Sequence, residues 1–408
     1  MCEKAGKKEG RTLSLRVLML AWEYPPNHVG GLGRHVYHLS RALLRLGAEV
    51  TVVTRSGYGH PDVWDDDGVS VVAVSPNGLH PPDFVTWAAQ FNVGLLEAVL
   101  GELPEKRFDL VHAHDWIVAY AARALKHAWR APLVATIHAT EHGRQCGLHT
   151  AMQQHISETE WWLCYEACRV VTCSGYMKDE VQRVFGVPGD KVRVIPNGIS
   201  GSWFSVTREP SPEPLIIFVG RLVPEKGPQV VVDAMPEIAD EFPHARLVLA
   251  GDGPMEGELR RRIYRAGLGK VVDLAGRLDD AGLRELYSKA WAAAFPSSYE
   301  PFGIVALEAM ATGVPCVVGD AGGLSEIVSD GSTGLKVRPN DPGALAGALK
   351  ALLRDGALRC EIAGMAKSAA LTDYSWDDVA DKTLEVYGEA LDLTGGPARR
   401  APAASGRA

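Results

Sequence analysis

The chain has 408 residues, of which 46% are hydrophobic and 23% charged, and its formal net charge is -8. Such a length exceeds one ordinary hydrophobic core, so two domains are expected, and the composition is that of a globular protein rather than a disordered or collagen-like chain. Acidic residues outnumber basic ones, 50 to 42. No basic stripe with interleaved aromatic residues occurs, which argues against nucleic acid as a main partner.

Targeting signals and cysteine spacing both favour a cytoplasmic protein. The opening MCEKAGKKEGRTLS is polar and basic and lacks the apolar core of a secretory signal. No continuous run of 18 apolar residues is present, so no transmembrane helix is predicted. The seven cysteines lack the paired spacing of a zinc site, and we interpret them as reduced thiols.

Short β-branched runs alternate with segments of helical period along the whole chain, which predicts parallel sheets covered by helices. The predicted strands cover residues 15–21, 49–54, 69–74, 110–113, 133–137, 169–173 and 192–195 in the first half, and 215–219, 246–250, 271–275, 292–295 and 316–318 in the second. Between the halves, TREPSPEPL at residues 207–215 combines prolines and charges. This stretch predicts an interdomain linker.

We therefore predict an α/β fold of two Rossmann-like, doubly wound domains that face each other across a cleft. The first domain comprises residues 14–206 and the second residues 207–374, and a C-terminal helix follows over residues 375–393. Flexible tails are expected at residues 1–13 and 394–408. Open parallel sheets bind ligands beyond the carboxyl ends of their strands, so the cleft is the expected site.

Two glutamates, Glu300 and Glu308, lie eight positions apart in the mostly apolar stretch PSSYEPFGIVALEAMATG, residues 296–313. Carboxylates are rarely buried without a partner, because removing an unpaired charge from water is very unfavourable. Glu300 falls in a loop just past a predicted strand, which favours a ligand-binding role. The alternative is a structural one, in which the glutamates pair with a helix dipole or with a core cation.

A helix predicted over residues 304–312 adds hydrogen-bond donors beside these carboxylates. Its first amides can donate to hydroxyls or to a phosphate. They are those of Phe302, Gly303, Ile304 and Val305. Carboxylate acceptors that flank a row of amide donors suit a polyhydroxylated ligand better than a metal ion.

Two cations follow the strand predicted at residues 215–219. In LIIFVGRLVPEKG, residues 215–227, the strand ends at Gly220 and releases Arg221 and Lys226. Arginine presents a planar fork and lysine a point charge, a combination that holds a diphosphate and stabilises the charge that develops on it as a leaving group. The alternative is that both belong to ordinary surface salt bridges.

An early glycine pair is typical of a phosphate-binding turn. In LAWEYPPNHVGGLGRHVYHL, residues 20–39, a strand gives way to a proline-rich loop, and Gly30 and Gly31 open a helix. The dinucleotide fingerprint is incomplete here, since the third glycine and the acidic residue after the next strand are missing. The alternative is a helix start that needs small residues for close packing.

Histidines mark two further strand ends. His114 with Asp115 follows LVHA, and His138 follows LVATI. A histidine in a core, satisfied by a backbone carbonyl, is the alternative for either. His138 is the better ligand-contact candidate, because the segment IHATEHGR around it is polar and continues into a glycine-containing loop.

A D-x-D motif of the kind used by metal-dependent transferases lies in VWDDDG, residues 63–68. It is predicted to fall in a loop before a strand, and we interpret its carboxylates as solvated charges. No metal ligand is assigned to the chain, and no metal cofactor is expected.

Together these motifs resemble the retaining family 4 glycosyltransferases of the GT-B fold, over about residues 14–392. The shared features, in the family's order and spacing, are the E-x7-E pair Glu300 and Glu308, the R-x4-K pair Arg221 and Lys226, the glycines Gly30 and Gly31, AGDGP from Ala250 and AGGLSEIV from Ala321. Within the family, HATEHGR and residues 155–181 are similar to glycogen-synthase-like α-glucosyltransferases.

The resemblance implies a role for each matched residue. Arg221 and Lys226 would hold the diphosphate of the donor, and Glu300 the hydroxyls of its sugar. His138 would line that sugar, so these four residues are the catalytic candidates.

Further residues would bind the donor by the same resemblance. Glu308 would bind the ribose, and Gly30 and Gly31 would approach the phosphates and the acceptor. The remaining donor-binding candidates are Gly251, Phe302, Gly303, Ile304 and Val305. The helix near Trp376 would cross back onto the first domain.

The implied reaction transfers a hexose, with glucose favoured, from UDP- or ADP-glucose to a glucan or another hydroxyl acceptor, and it keeps the anomeric configuration. Glycogen and starch synthases carry a lysine where this chain has His28, a departure that concerns the donor and acceptor rather than the reaction class. Rival hypotheses are a nucleotide-sugar epimerase of the same fold, a transferase for a lipid or small-molecule acceptor, and a non-catalytic nucleotide-sugar sensor.

Overall fold

The structure, a computed structural model, describes residues 14–27, 30–57, 62–75, 80–103 and 107–395. The predicted tail at residues 1–13 and nearly all of the one at residues 394–408 lie outside the described residues. So does His28. The strands are β1 (Arg16–Leu20), β2 (Glu49–Arg55), β3 (Val63–Asp66), β4 (Val69–Val74), β5 (Leu110–His114), β6 (Leu133–Ile137), β7 (Arg169–Thr172), β8 (Val192–Val194), β9 (Leu215–Val219), β10 (Arg246–Ala250), β11 (Val272–Gly276), β12 (Ala292–Phe295), β13 (Cys316–Gly319) and β14 (Leu335–Val337).

Helices alternate with these strands, as the sequence predicts. They are α1 (Gly31–Arg45), α2 (Phe84–Glu102), α3 (Ala119–Trp129), α4 (Glu141–Arg144), α5 (Ala151–Glu166), α6 (Gly175–Phe185), α7 (Gly201–Phe204), α8 (Pro228–Glu241), α9 (Glu256–Arg265), α10 (Asp280–Lys289), α11 (Ile304–Thr312), α12 (Leu324–Ile327), α13 (Pro342–Arg354), α14 (Gly356–Asp373) and α15 (Trp376–Leu393). Several begin at a residue whose side chain accepts from the amide three residues further on, the usual N-cap contact. Such caps are Asp83, Ser174, Asp279, Asp341 and Asp355.

The strands form two sheets. The first has the order β3-β4-β2-β1-β5-β6-β7-β8 and the second the order β11-β10-β9-β12-β13-β14. Central pairs such as β1 with β2 and β9 with β10 are parallel, whereas the edge pair of β3 and β4 is antiparallel. Central strands such as β1 and β9 are almost wholly buried and apolar, as expected for parallel sheets covered on both faces. The predicted α/β fold class is confirmed.

The chain folds into two compact units. The first contains the described residues up to Ala135, residues Glu166–Arg169, and the described residues from Ala380 on. The second contains Thr136–Tyr165 and Val170–Val379. The domain boundaries placed at residues 206 and 374 from the sequence remain a prediction.

The charged segment at residues 63–68 contains a strand, where the sequence predicted a loop. Val63–Asp66 forms strand β3, which pairs with β4 through a tight Asp67-Gly68 turn, a common hairpin signal. The carboxylate of Asp66 accepts two hydrogen bonds of 2.7 Å from Arg41, and this guanidinium lowers the pKa of Asp66. The prediction of a loop was wrong, because so short a strand, with two adjacent aspartates, leaves little apolar signal. The prediction of solvated charges fails for Asp66, whereas Asp65 and Asp67 are exposed.

Helix α2 bears on the prediction that no segment spans a membrane. Among the described residues it is the one helix long and apolar enough to do so by length and composition, with a mean hydropathy of 1.2 over Phe84–Gly101. Only 33% of this window is buried. Within it, the side chain of Asn92 donates to the carbonyl of Ile117 and accepts from the amide of Ala121. Such internal contacts are typical of a helix packed in a folded unit, and the helix is weak support for a membrane span.

Candidate active site

Two loops of the second unit meet beyond adjacent strands of its sheet. One follows β9 and carries Arg221 and Lys226, and the other follows β12 and carries Glu300. Strands β9 and β12 are parallel neighbours, so both loops leave the same edge of the sheet, where such folds bind ligands. The carbonyl of Glu225 accepts from the amide of Ser298 at 2.8 Å. This hydrogen bond fixes one loop against the other.

Lys226 and Glu300 form an ion pair at this edge. The Nζ of Lys226 lies 2.7 Å from the Oε2 of Glu300, and the two side chains are only 17% and 12% exposed. Glu300 thus has the cationic partner that a mostly buried carboxylate requires. The sequence assigns these groups to different parts of one ligand, and the structure brings them into direct contact. Removing either one would leave the other as a buried, uncompensated charge.

Arg221 is more accessible than Lys226. Its side chain is 49% exposed, and its Nη2 lies 3.6 Å from the Oε1 of Glu225. An exposed pair of this kind is worth only about 0–1 kcal/mol, so it competes weakly with a better anion. The guanidinium presents a fork of donors that matches phosphate geometry. Its place in the Lys226 loop suits the predicted diphosphate site.

The start of helix α11 supplies hydrogen-bond donors beside Glu300. The helix begins at Ile304, as predicted, and Gly303 is its N-cap residue, with a φ of 114°. Glycine adopts this conformation readily and offers no side chain to cap the amides of Ile304 and Val305. Exposed helix amides favour anions and hydroxyl oxygens. The centroid of the Phe302 ring lies 6.2 Å from that of Tyr374, and donor binding by Phe302 remains a prediction.

Glu308 lies one turn into α11, and its side chain is buried. The residue is 1% exposed, and the hydroxyl of Tyr287 lies 3.4 Å from its Oε2 and 3.1 Å from the carbonyl oxygen of Val305. Tyr287 comes from α10, and no motif in the sequence pointed to it. Because the carboxylate is buried, contact between Glu308 and a ribose remains a prediction.

Two glycines let other loops pack against the site. A Cβ on Gly251 would lie 1.9 Å from the carbonyl oxygen of Gly220, the residue before Arg221. A Cβ on Gly322 would lie 2.2 Å from the carbonyl oxygen of Glu300, and its φ of 58° also disfavours other residues. The motifs AGDGP and AGGLSEIV therefore place glycine where backbones touch. Any side chain there would displace the charged loops.

His138 directly follows β6 and is half-buried. Removal from water, with a smaller contribution from the positive charge of Arg144, lowers the pKa of His138 to about 3. The imidazole is therefore neutral at pH 7 and can share a hydrogen bond with a sugar hydroxyl without adding charge. Two residues later, Thr140 caps α4 by accepting from the amide of Gly143 at 2.9 Å.

The predicted glycine pair lies in the first unit. Helix α1 begins at Gly31, as predicted, and Gly30 is its N-cap residue. The amide of Gly30 donates to the Oε2 of the buried Glu23 at 2.9 Å. A carboxylate of the chain itself thus lies at the positive end of α1, a contact that the sequence reasoning missed. The approach of Gly30 and Gly31 to donor phosphates stays a prediction, since the other candidate residues belong to the second unit.

His114 and Asp115 differ in their surroundings. The buried ring of His114 lies 4.2 Å from that of His112 and 5.4 Å from that of His35, which places it in the core of the first unit. Asp115 has a φ of 61° and a ψ of 174°, a conformation that costs a non-glycine residue about 1–3 kcal/mol. Such strain at a strand's carboxyl end favours a functional role for Asp115 over one for His114.

Comparison with known proteins identifies the family. Residues 29–202 match the model for Glycosyltransferase Family 4, and residues 201–369 match that for Glycosyl transferases group 1. The chain is 39% identical over 394 residues to an uncharacterized glycosyltransferase of Methanocaldococcus jannaschii, covering 93% of this chain and 100% of that protein. It is 38% identical over 390 residues to a glycogen synthase of Mycobacterium tuberculosis, covering 91% and 94%. The chain therefore belongs to the family 4 glycosyltransferases, on the side related to glycogen synthase.

More distant similarities extend the comparison. A D-inositol 3-phosphate glycosyltransferase of Xylanimonas cellulosilytica is 31% identical, over 92% of this chain and 97% of that protein. Sucrose-phosphate synthase from Thermosynechococcus elongatus superposes with a TM-score of 0.80 at 24% identity, over 93% and 100% of the two chains. The catalytic domain of starch synthase IV from Arabidopsis thaliana, bound to ADP and acarbose, gives 0.74 at 20% identity, over 93% and 100%. These likenesses confirm the GT-B fold.

Proposed function

We propose that the protein transfers a hexose, with glucose as the best candidate, from a nucleoside-diphosphate sugar to a hydroxyl acceptor, with retention of anomeric configuration. The observation that carries the proposal is the cluster of Arg221, Lys226 and Glu300 beside the start of α11. It combines cations for a departing diphosphate with acceptors and donors for sugar hydroxyls in one unit. Membership of a glycosyltransferase family related to glycogen synthase supports it.

The Lys226–Glu300 pair is central to this mechanism. A bound diphosphate would draw Lys226 towards its own negative charge, and Arg221 would bind the same group through its planar fork. Glu300 would then accept hydrogen bonds from the hydroxyls of the donor sugar. As the bond to the sugar breaks, the two cations stabilise the charge that builds on the leaving phosphate.

The other residues bind rather than react. The amides of Ile304 and Val305 donate hydrogen bonds to the nucleotide sugar. Glu308 accepts a hydrogen bond from its ribose, and the neutral imidazole of His138 lines its sugar. The departing phosphate takes the proton of the acceptor hydroxyl on the same face of the sugar, which accounts for retention. The reaction as proposed requires no metal cofactor.

UDP- and ADP-glucose are the proposed donors, and an α-1,4-glucan is the first proposed acceptor. The starch synthase structure contains ADP, and an Anabaena protein of the same fold was solved with UDP-glucose, at a TM-score of 0.71. The glycogen synthase relative supports a glucan acceptor. A cytoplasmic location is proposed from the sequence alone. A phosphorylated polyol is the second candidate acceptor, because D-inositol 3-phosphate glycosyltransferases are also relatives.

The test is a panel of UDP-, ADP- and GDP-sugars, each with and without maltooligosaccharides or inositol phosphate. We expect release of the free nucleoside diphosphate that depends on the acceptor, together with an α-linked product. An epimerase would instead change the donor sugar without any acceptor. Glu300→Gln separates a transferase from a sensor, since a transferase loses turnover and a sensor only binds more weakly. Absence of transfer across the panel would contradict the proposal.

A further inference from the structure

Glu180 is a buried carboxylate that no sequence motif singled out. It lies on α6 and is 2% exposed. Its Oε1 accepts from the hydroxyls of Thr140 at 2.6 Å and Tyr299 at 2.9 Å, and its Oε2 accepts from the hydroxyl of Tyr176 at 3.2 Å. Among the described residues no cation pairs with it in a salt bridge. Hydroxyl donors alone therefore compensate its burial.

Glu180, Thr140 and Tyr299 form a closed ring of hydrogen bonds. The amide of Thr140 donates to the hydroxyl of Tyr299 at 3.3 Å, that hydroxyl donates to Glu180, and the hydroxyl of Thr140 donates to the same carboxylate oxygen. Thr140 also accepts from the amide of Gly143. The polar groups of Thr140 and Tyr299 are thus engaged together, and hydrogen-bond networks of this kind rigidify the segments that they join. We call Glu180, Thr140 and Tyr299 the clasp.

The clasp joins the loops of two candidate catalytic residues. Tyr299 directly precedes Glu300, and Thr140 is two residues after His138. The two loops follow β12 and β6, strands of different sheets. We propose that Glu180 is a positioning residue for sugar transfer, which acts through Thr140 and Tyr299 to hold His138 and Glu300 in place around the donor sugar. This proposal rests on the roles given above to His138 and Glu300.

The protonation state of Tyr299 fits this arrangement. Burial, followed by the negative charge of Glu180, raises the pKa of Tyr299 well above its ordinary value. The hydroxyl therefore keeps its proton throughout the neutral range and remains a donor.

Packing against Gly143 supports the same conclusion. A Cβ on this residue would lie 2.3 Å from the Cε2 and 2.4 Å from the hydroxyl oxygen of Tyr299. Since real Cβ atoms do not approach so closely, the ring of Tyr299 would have to move. Gly143→Ala therefore offers a steric way to disturb the clasp that leaves all its polar groups in place.

Four variants of the full chain test the proposal: Tyr299→Phe, Glu180→Gln, Gly143→Ala, and Tyr176→Phe as the matched control. Loss of a hydrogen bond to a charged group should lower kcat about 10- to 100-fold in Tyr299→Phe and Glu180→Gln. We expect a fall of about the same size in Gly143→Ala, because the added methyl group would displace the ring of Tyr299. Tyr176 lies outside the ring, so its variant should keep kcat within about threefold, in line with a single longer bond. Affinity for the free nucleoside diphosphate should fall less than kcat, because none of these changes removes a group that hydrogen-bonds to Arg221 or Lys226, although the backbone amide of Tyr299 reaches the carbonyl oxygen of Glu225 at 3.4 Å.

Hydrogen exchange provides a readout that does not depend on turnover. In the three clasp variants we expect faster exchange in peptides that cover residues 138–145 and 296–303, with Tyr176→Phe like wild type. Unchanged exchange in both peptides would overturn the proposal, and so would unchanged kcat in folded Tyr299→Phe and Glu180→Gln. A parallel loss of kcat, diphosphate affinity and melting temperature would overturn it too, since that indicates a merely structural role. If the wild type transfers no sugar, the proposed function fails by itself, and the exchange result alone decides whether the clasp exists.

Discussion

Glu300 and Glu180 are both buried carboxylates of the second unit, yet their charges are compensated in opposite ways. Glu300 faces the ammonium of Lys226 at 2.7 Å, whereas Glu180 accepts from three hydroxyls. An ion pair can exchange partners when a diphosphate arrives, because the anion offers Lys226 a stronger charge. The hydroxyls that donate to Glu180 are neutral, so they carry no net charge that would draw them towards the diphosphate. We therefore expect the charged pair to be the exchangeable part of the candidate site and the clasp its fixed part.

Lys226→Ala should have the largest effect on both turnover and stability. It removes the cation that we propose as a stabiliser of the leaving group, so we expect kcat to fall about 10²- to 10³-fold. It also leaves Glu300 buried without its cation, so the free energy of unfolding should fall by about 3–5 kcal/mol. Steady-state kinetics and denaturant titration measure the two effects.

The matched control for this variant is Lys289→Ala. Lys289 forms a surface pair with Glu285, in which both side chains are largely exposed. Neither activity nor stability should change in the control. Wild-type turnover in Lys226→Ala would refute the assignment of this lysine.

Arg221→Ala should separate catalysis from stability. We expect a fall in kcat of about 10²- to 10³-fold, with little change in the free energy of unfolding, because the guanidinium is half exposed and its contact with Glu225 is weak. The control is Arg260→Ala, which removes an exposed arginine that pairs with Glu256 in the same helix. Neither kcat nor the free energy of unfolding should change in this control. A stability loss as large as that of Lys226→Ala would contradict the difference drawn between the two cations.

His138 predicts a pH dependence of stability. Its folded pKa of about 3 lies below the ordinary value of 6.5, so the unfolded chain binds an extra proton between these pH values. Stability from this group is complete above pH 6.5 and is lost as the pH falls towards 3, at up to about 1.4 kcal/mol per pH unit. Denaturation of wild type and His138→Gln between about pH 4 and 8 tests this. Parallel stability curves for the two proteins would contradict it.

The smallest expected effect belongs to Tyr287→Phe. This change removes only the hydroxyl beside Glu308, and a neutral hydrogen bond is worth about 1 kcal/mol. We expect the KM for the donor to rise about fivefold with kcat unchanged, because Glu308 is proposed to bind the ribose and not to act on the reacting bond. A drop in kcat at unchanged KM would place Glu308 closer to the reacting bond than proposed.

Strand positions were the most predictable part of the fold. The predicted strands at residues 69–74, 133–137, 215–219, 246–250 and 292–295 agree residue for residue with the structure. Each is a mostly apolar run, because a strand of a parallel sheet is covered on both faces. Strands β3 and β14 escaped prediction, since an edge strand of three or four residues needs no apolar run.

The positions of the charged residues at the candidate site were predictable from the sequence, whereas their contacts were not, and their roles remain predictions. Arg221, Lys226 and Glu300 stand just past strand ends, a position that the sequence reveals. Their surroundings depend on tertiary contacts: Glu180 and Tyr299 are 119 positions apart, a separation to which no local spacing rule applies. The predicted start of α11 at Ile304 agrees with the structure, in which Gly303 is the N-cap residue with a φ of 114°.

The most direct test of the account is a crystal structure of the protein with its nucleoside-diphosphate sugar. We expect the diphosphate to lie within hydrogen-bond distance of Arg221 and Lys226, the Lys226–Glu300 contact to be lengthened or broken, and Glu300 to contact the sugar hydroxyls. The clasp distances should stay as they are. A donor bound away from these residues, with the ion pair intact at 2.7 Å, would contradict it.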